Sequence, residues 1–309
     1  MSVQTGFESD LPLPKQGMLT VLSALGRFPR QEVFEVLADY FFHSDREVGE
    51  AALRSSAFPG NQAAVPHLLN IVERDEDPRR KTLALEVLAA IGAPQAVDNL
   101  SAYFGTFTDP LLKTAVLKAL SAVDPRHQRV LELNRGILTQ GNARRELAAA
   151  AVRGLVAAGD FPFLEHYLVH AQQDMQLEAF RGMLGAQSEA VASFLRKLEP
   201  GLDLDPQARG VCLAAYLLNA SNPNPQFLLD ALGASGGGTL SAFLDALHAG
   251  ADRSCSHKGV LKLLLMLPSA DREIETTIGW LIDRLLYVRT QLSPGSTGEL
   301  AAIASAHLD

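Results

Sequence analysis

A chain of 309 residues and 33.2 kDa, with 47% hydrophobic and 20% charged side chains, can bury a core and is not a disordered polymer. Its 27 Lys and Arg against 35 Asp and Glu leave a net charge of −8, which argues against a nucleic-acid backbone as the main ligand. Two cysteines, Cys212 and Cys255, cannot build a disulfide framework and fit a reducing compartment, so a cytoplasmic location is expected. Acidic Glu8 and Asp10 interrupt the N-terminus, and no stretch approaches the roughly 18 apolar residues that span a bilayer, so no membrane insertion is expected.

In chain order, residues 1–16 read as a flexible tail and 17–44 as a diverged helix pair divided at Phe28-Pro29. From residue 45 a phrase recurs every 31 to 33 residues: Asp or Asn, a few polar residues, an Ala/Leu-rich helix, a break, and a second apolar helix. It opens at Asp45, Asp77, Asp109, Asn142, Asp174 and Asp205. A period of about 20 to 50 residues means a stacked array in which no unit buries its face alone. The leading Asp or Asn, often followed by Pro, suits an N-cap and the first helical position. Leu85, Leu88 and Ile91 form one stripe, and Leu117, Leu120 and Val123 repeat it. Gly92, Gly141 and Gly159 mark helix ends. The stretches 63–74 and 161–171 carry the second helix of their units. Regular repeats thus fill 45–235, with a triple glycine at 236–238 as a hinge. Residues 236–309 read as four diverged helices of the same array, at 239–249, 257–267, 271–292 and 297–308. An Asp at the last position, where a new phrase would open, leaves a truncated longer protein as an alternative to a natural helical cap.

The phrase resembles the short HEAT-like repeats of the phycobilisome-lyase type, in Asp-Pro heads and in the small-large steps Ala52-Leu53, Ala84-Leu85 and Val116-Leu117. The resemblance covers about residues 45–233 and implies an all-α, right-handed α-solenoid of helix pairs. It also implies a structural ladder. The cations Lys81, Lys113, Arg209 and, one position early, Arg145 form it by bonding the cap of the adjacent repeat, with Lys81, Lys113 and Arg145 pairing with Asp45, Asp77 and Asp109 respectively. Gly49 and Glu178 interrupt that ladder. First helices would line a concave side, whose outward positions include Arg54, Arg79, Glu86, Lys118, Arg144 and Arg153. Five of these six are basic, which would steer an acidic peptide or protein patch.

No catalytic, cofactor or metal motif accompanies the repeats. There is no Gly-x-Ser-x-Gly elbow and no Gly-x-x-x-x-Gly-Lys phosphate loop. His248, Cys255 and His257 cluster, but in a spacing that matches no common zinc site. No His-Glu dipeptide is present, which drops the di-iron hydroxylases built on similar repeats. Cys212 lies in an apolar helix and reads as a buried small hydrophobe. The first expectation is a non-enzymatic, bacterial cytosolic scaffold or regulatory module that holds a protein partner on its concave face. Two alternatives rest on resemblance. One is a bilin lyase-type subunit, with Tyr103, Phe104, Phe161, Phe163 and Tyr167 around a chromophore or packed between repeats. The other is a regulatory domain of a larger cyclic-nucleotide-binding or transporter fusion, whose junction helices residues 278–292 resemble. The oligomeric state is left open.

Overall fold

Cap chemistry sets where the helices begin. The Asp45, Asp77 and Asp109 carboxylates accept the backbone N–H two residues on, at 2.9, 2.9 and 2.7 Å, and Asp205 accepts from Ala208 at 2.7 Å. Pro78, Pro110 and Pro206 follow three of these caps, where a missing amide costs nothing. Each cap contributes about 1 kcal/mol. The computed structural model describes residues 14–141, 143–221, 223–233 and 237–250. Cys255, His257, Trp280, Asn142 and the helices expected after residue 250 lie outside the described residues.

All regular structure among the described residues is helical: α1 (Lys15–Leu25), α2 (Gln31–Asp39), α3 (Arg46–Ser55), α4 (Ala64–Arg74), α5 (Pro78–Ile91), α6 (Val97–Thr106), α7 (Pro110–Val123), α8 (Gln128–Thr139), α9 (Arg145–Ala158), α10 (Phe161–His170), α11 (Gln173–Met183), α12 (Glu189–Leu198), α13 (Pro206–Asn219), α14 (Pro225–Gly233) and α15 (Gly237–Gly250). Gly92 and Gly159 end α5 and α9 in the left-handed conformation, at φ 67° and 79°, where a side chain would be strained. Two phrases start differently from the expected pattern. Arg144, not Asn142, precedes α9, and Gln172 precedes α11, so Asp174 sits inside the first turn instead of capping it.

The chain forms two compact units, Met1–Ile137 and Leu138–Asp309, divided within α8. In the first, α1, α3, α5 and α7 lie side by side in a row, and α4 and α6 each pack on the following first helix. In the second, α9, α11, α13 and α15 form the row, and α12 packs on α13. Each row is the layered helix-pair arrangement of an α-solenoid. The stripe residues Leu85, Leu88, Ile91, Leu117 and Leu120 are all buried, and Val123 is half-buried. Buried alanines at 52, 84, 119 and 148–151 let neighbouring helices approach closely. The closest approaches need glycine. A Cβ on Gly210 of α13 would stand 2.6 Å from the Thr239 carbonyl and 2.7 Å from Ala242 Cβ of α15. A Cβ on Gly182 of α11 would stand 2.9 Å from the Ala149 carbonyl of α9.

A polar clasp holds the turn between α11 and α12 to the end of α13. Buried Asn219 donates to the Met183 carbonyl at 2.9 Å and to the Ala215 carbonyl at 2.8 Å, and accepts the Ser188 N–H at 3.0 Å. Beside it, Glu189 accepts the Ser221 N–H at 2.6 Å, and that bond holds its carboxyl below the usual range. Cys212 is buried as expected, and burial pushes its thiol well above the ordinary value, so it is a packing residue and not a nucleophile at neutral pH.

Candidate functional site

The first helices of the N-terminal unit enclose a hollow of about 390 Å³. Arg46, Glu50 and Arg54 project from α3, Arg79, Thr82 and Glu86 from α5, and Asp109, Leu111 and Leu112 from the start of α7. Helical spacing explains this. Residues 46, 50 and 54 are successive i,i+4 neighbours, as are 82 and 86, so each helix presents one ridge to the hollow. Three residues expected on the concave side, Arg54, Arg79 and Glu86, therefore meet in one place.

Its charge differs from the basic face read from the sequence. Arg46, Arg54 and Arg79 face Glu50, Glu86 and Asp109, so three cations meet three carboxylates. Glu50 takes Arg46 at 2.8 Å and Arg54 at 3.7 Å. Arg79 has no side-chain partner among the described residues, and its exposed guanidinium is open to a ligand. Leu111 stands beside these charges with 74% of its surface exposed. In the preceding repeat the corresponding position is Arg79, so the Pro-Leu-Leu opening of α7 is the departure that marks this residue.

The other expected face residues lie elsewhere. Lys118 is exposed farther along α7 and is not part of the hollow's wall. Arg144 is exposed at the entry to α9 in the second unit. Arg153 is half-buried and lines, with Arg181, a separate hollow of about 320 Å³ between α9 and α11. A wider hollow of about 880 Å³ lies on α11, α13 and α15, walled by Arg181, Asp205, Gln207 and Asp245.

The structural ladder runs in the opposite direction from the expected one. Asp45 pairs with Lys15 at 3.0 Å, not with Lys81, and Asp77 meets Arg46 at 3.9 Å, not Lys113. Both of these caps therefore contact the cation that opens the preceding first helix. The Lys15 ammonium holds the Asp45 carboxyl below its usual range, and these exposed pairs set register more than they add stability. The expected ladder cations turn back instead to the end of the helix before them. Lys81 Nζ donates to the Glu73 carbonyl in the last turn of α4 at 3.2 Å, a helix C-terminus that attracts positive charge, and lies 5.2 Å from the Phe107 ring centre. Lys113 Nζ lies 5.6 Å over Phe104 of α6, and Arg209 reaches Glu199 after α12 at 3.2 Å. Burial raises the Glu199 carboxyl and Arg209 opposes that shift. Arg145 and Asp109 fall in different units. The two interruptions also have local causes. A Cβ at Gly49 would stand 3.0 Å from the Phe41 carbonyl, and Glu178 is buried against Arg181 at 2.6 Å.

Residues 18–89 and 65–155 match the family model for HEAT repeats. Residues 18–155 carry HEAT-like repeats. This match runs from within α1 to within α9 and therefore contains the whole hollow around Arg54, Arg79 and Leu111. It supports the HEAT-like repeat without distinguishing the phycobilisome-lyase type. No curated protein matches the chain. HEAT repeats commonly mediate protein–protein interaction, and no described helix is long and apolar enough to cross a membrane.

Proposed function

We propose that this chain is a non-enzymatic, cytoplasmic protein-binding module that holds its partner on the first-helix face of its N-terminal unit. The observation that carries this reading is Leu111, an apolar side chain exposed beside a hollow whose walls are charged. An apolar centre with a polar rim is the anatomy of a protein–protein interface. The partner is a protein segment with an apolar side chain for Leu111 and carboxylates for Arg79 and Arg54. Glu86 and Asp109 sort candidates by like-charge repulsion, so the face favours a segment that alternates charge over one that is uniformly acidic.

Three of the five aromatic residues named for a bilin pocket favour packing. Tyr103 stacks on Phe107 at 5.8 Å, and Phe104 carries Lys113. Phe161 packs on Phe194 at 5.1 Å, while Phe163 and Tyr167 line a hollow near the end of α10. The test of the binding reading is a double charge reversal, Arg54→Glu with Arg79→Glu, in the full chain. Affinity for a partner recovered by pull-down is expected to fall about tenfold or more, with only a small drop in thermal midpoint, because both side chains are exposed and Arg54 gives up one exposed pair with Glu50. Unchanged affinity for every recovered partner would remove the assignment to this face.

A further inference from the structure

We propose that His166 and His170 chelate a divalent transition-metal ion on the surface of the second unit. The two residues are i and i+4 on α10, so their side chains leave the helix on one face and one turn apart. Both are exposed, and both line a hollow of about 320 Å³ with Phe163, Tyr167 and Met175. Their ring centres are 4.7 Å apart and their planes differ by 69°. Two imidazoles on one ion, each with a nitrogen at about 2.0 to 2.1 Å and an angle of about 90 to 110° between them, place their ring centres about 4.5 to 5.2 Å apart. The observed separation falls within that interval, so the two rings, now in edge-to-face contact, can share an ion by turning their nitrogens toward it without moving the helix.

Neither ring has a hydrogen-bond partner among the described residues, so no protein bond has to be broken for an ion to enter. Imidazole donors select Zn²⁺, Ni²⁺ and Cu²⁺ over Mg²⁺ and Ca²⁺. Among the described residues no third His, Cys, Asp or Glu completes the cluster, so the remaining coordination positions belong to water or to a donor from outside. A site of this kind is exchangeable, unlike the closed four-ligand sites that hold a fold together.

The experiment is calorimetric titration of the metal-free full chain with Zn²⁺ and, separately, Ni²⁺, on wild type, His166→Ala, His170→Ala and the double variant. Wild type is expected to take up one ion more per chain than the double variant. Each single variant should weaken that site by about tenfold or more, because the second donor of a chelate acts at high effective concentration. Zn²⁺ should raise the thermal midpoint of the wild type more than that of the double variant, while the metal-free midpoints coincide. Equal stoichiometry and affinity in wild type and double variant would overturn the site. Weakening by one substitution but not the other would also overturn it, because it means a single-histidine contact.

Discussion

Phe180→Ala should destabilise the protein by about 3 to 5 kcal/mol, the range for removing a large aromatic from a core that cannot fully collapse. Phe180 is fully buried on α11, the helix that packs between α9 and α13 in the row of the second unit. In a stacked array each helix pair is stabilised through its neighbours, so the loss spreads to both sides of the gap. Hydrogen exchange read by mass spectrometry should show faster exchange in α9, α11 and α13, together with a lower denaturant midpoint. Loss confined to α11 alone would mean that the rows do not share their packing energy.

Gly210→Val acts by excess rather than by deficit. A Cβ at this position stands within 2.7 Å of the Thr239 carbonyl, the Ala242 Cβ and the Phe243 amide, and two of these atoms are backbone. No rotamer change relieves such a contact, so α15 must shift away from α13. Overpacking of this kind costs about 1 to 3 kcal/mol, with the upper end expected where the obstacle is backbone. Buried Phe243, Leu244 and Leu247 should then become accessible, read as increased exchange in α15 and binding of a hydrophobic dye. Wild-type exchange in α15 of this variant would contradict the close approach.

The helix starts were legible because capping is local. Asp45, Asp77, Asp109 and Asp205 act on amides two or three residues away, and nothing distant can change that. Burial of Leu85, Leu88 and Leu117 was legible for a related reason, since one apolar stripe per helix has only one side on which to hide. Partners of long side chains were not. Lys81 has an adjacent-repeat carboxylate, a helix C-terminus and an aromatic ring as candidates, and the distances between elements decide among them. Asp174 misled because a helix cap two residues earlier than expected leaves the residue inside the first turn, where it still suits the helix dipole.

The charge of the candidate site was misread for a similar reason. Counting outward positions on individual helices selected Arg54, Arg79 and Glu86, all of which do line the hollow. It left out Glu50, one turn before Arg54, and Asp109, which belongs to the entry of the next helix. A surface charge is a sum over several elements, so a face can be basic by helix and balanced in space. Leu111 was missed by the same count of charged positions, although its signal was present as a leucine where the preceding repeat has Arg79.

The assignment of partner binding to the first-helix face is tested most directly by a photo-reactive amino acid placed in the living cell. It would replace Leu111 in one chain and Glu132, an exposed residue on second helix α8, in another. Irradiation should give a discrete protein adduct from position 111 that disappears when Arg54 and Arg79 are reversed to Glu, and none from position 132. Adducts from position 132 alone, or adducts from position 111 that survive the charge reversal, would contradict a binding face built on Arg54, Arg79 and Leu111.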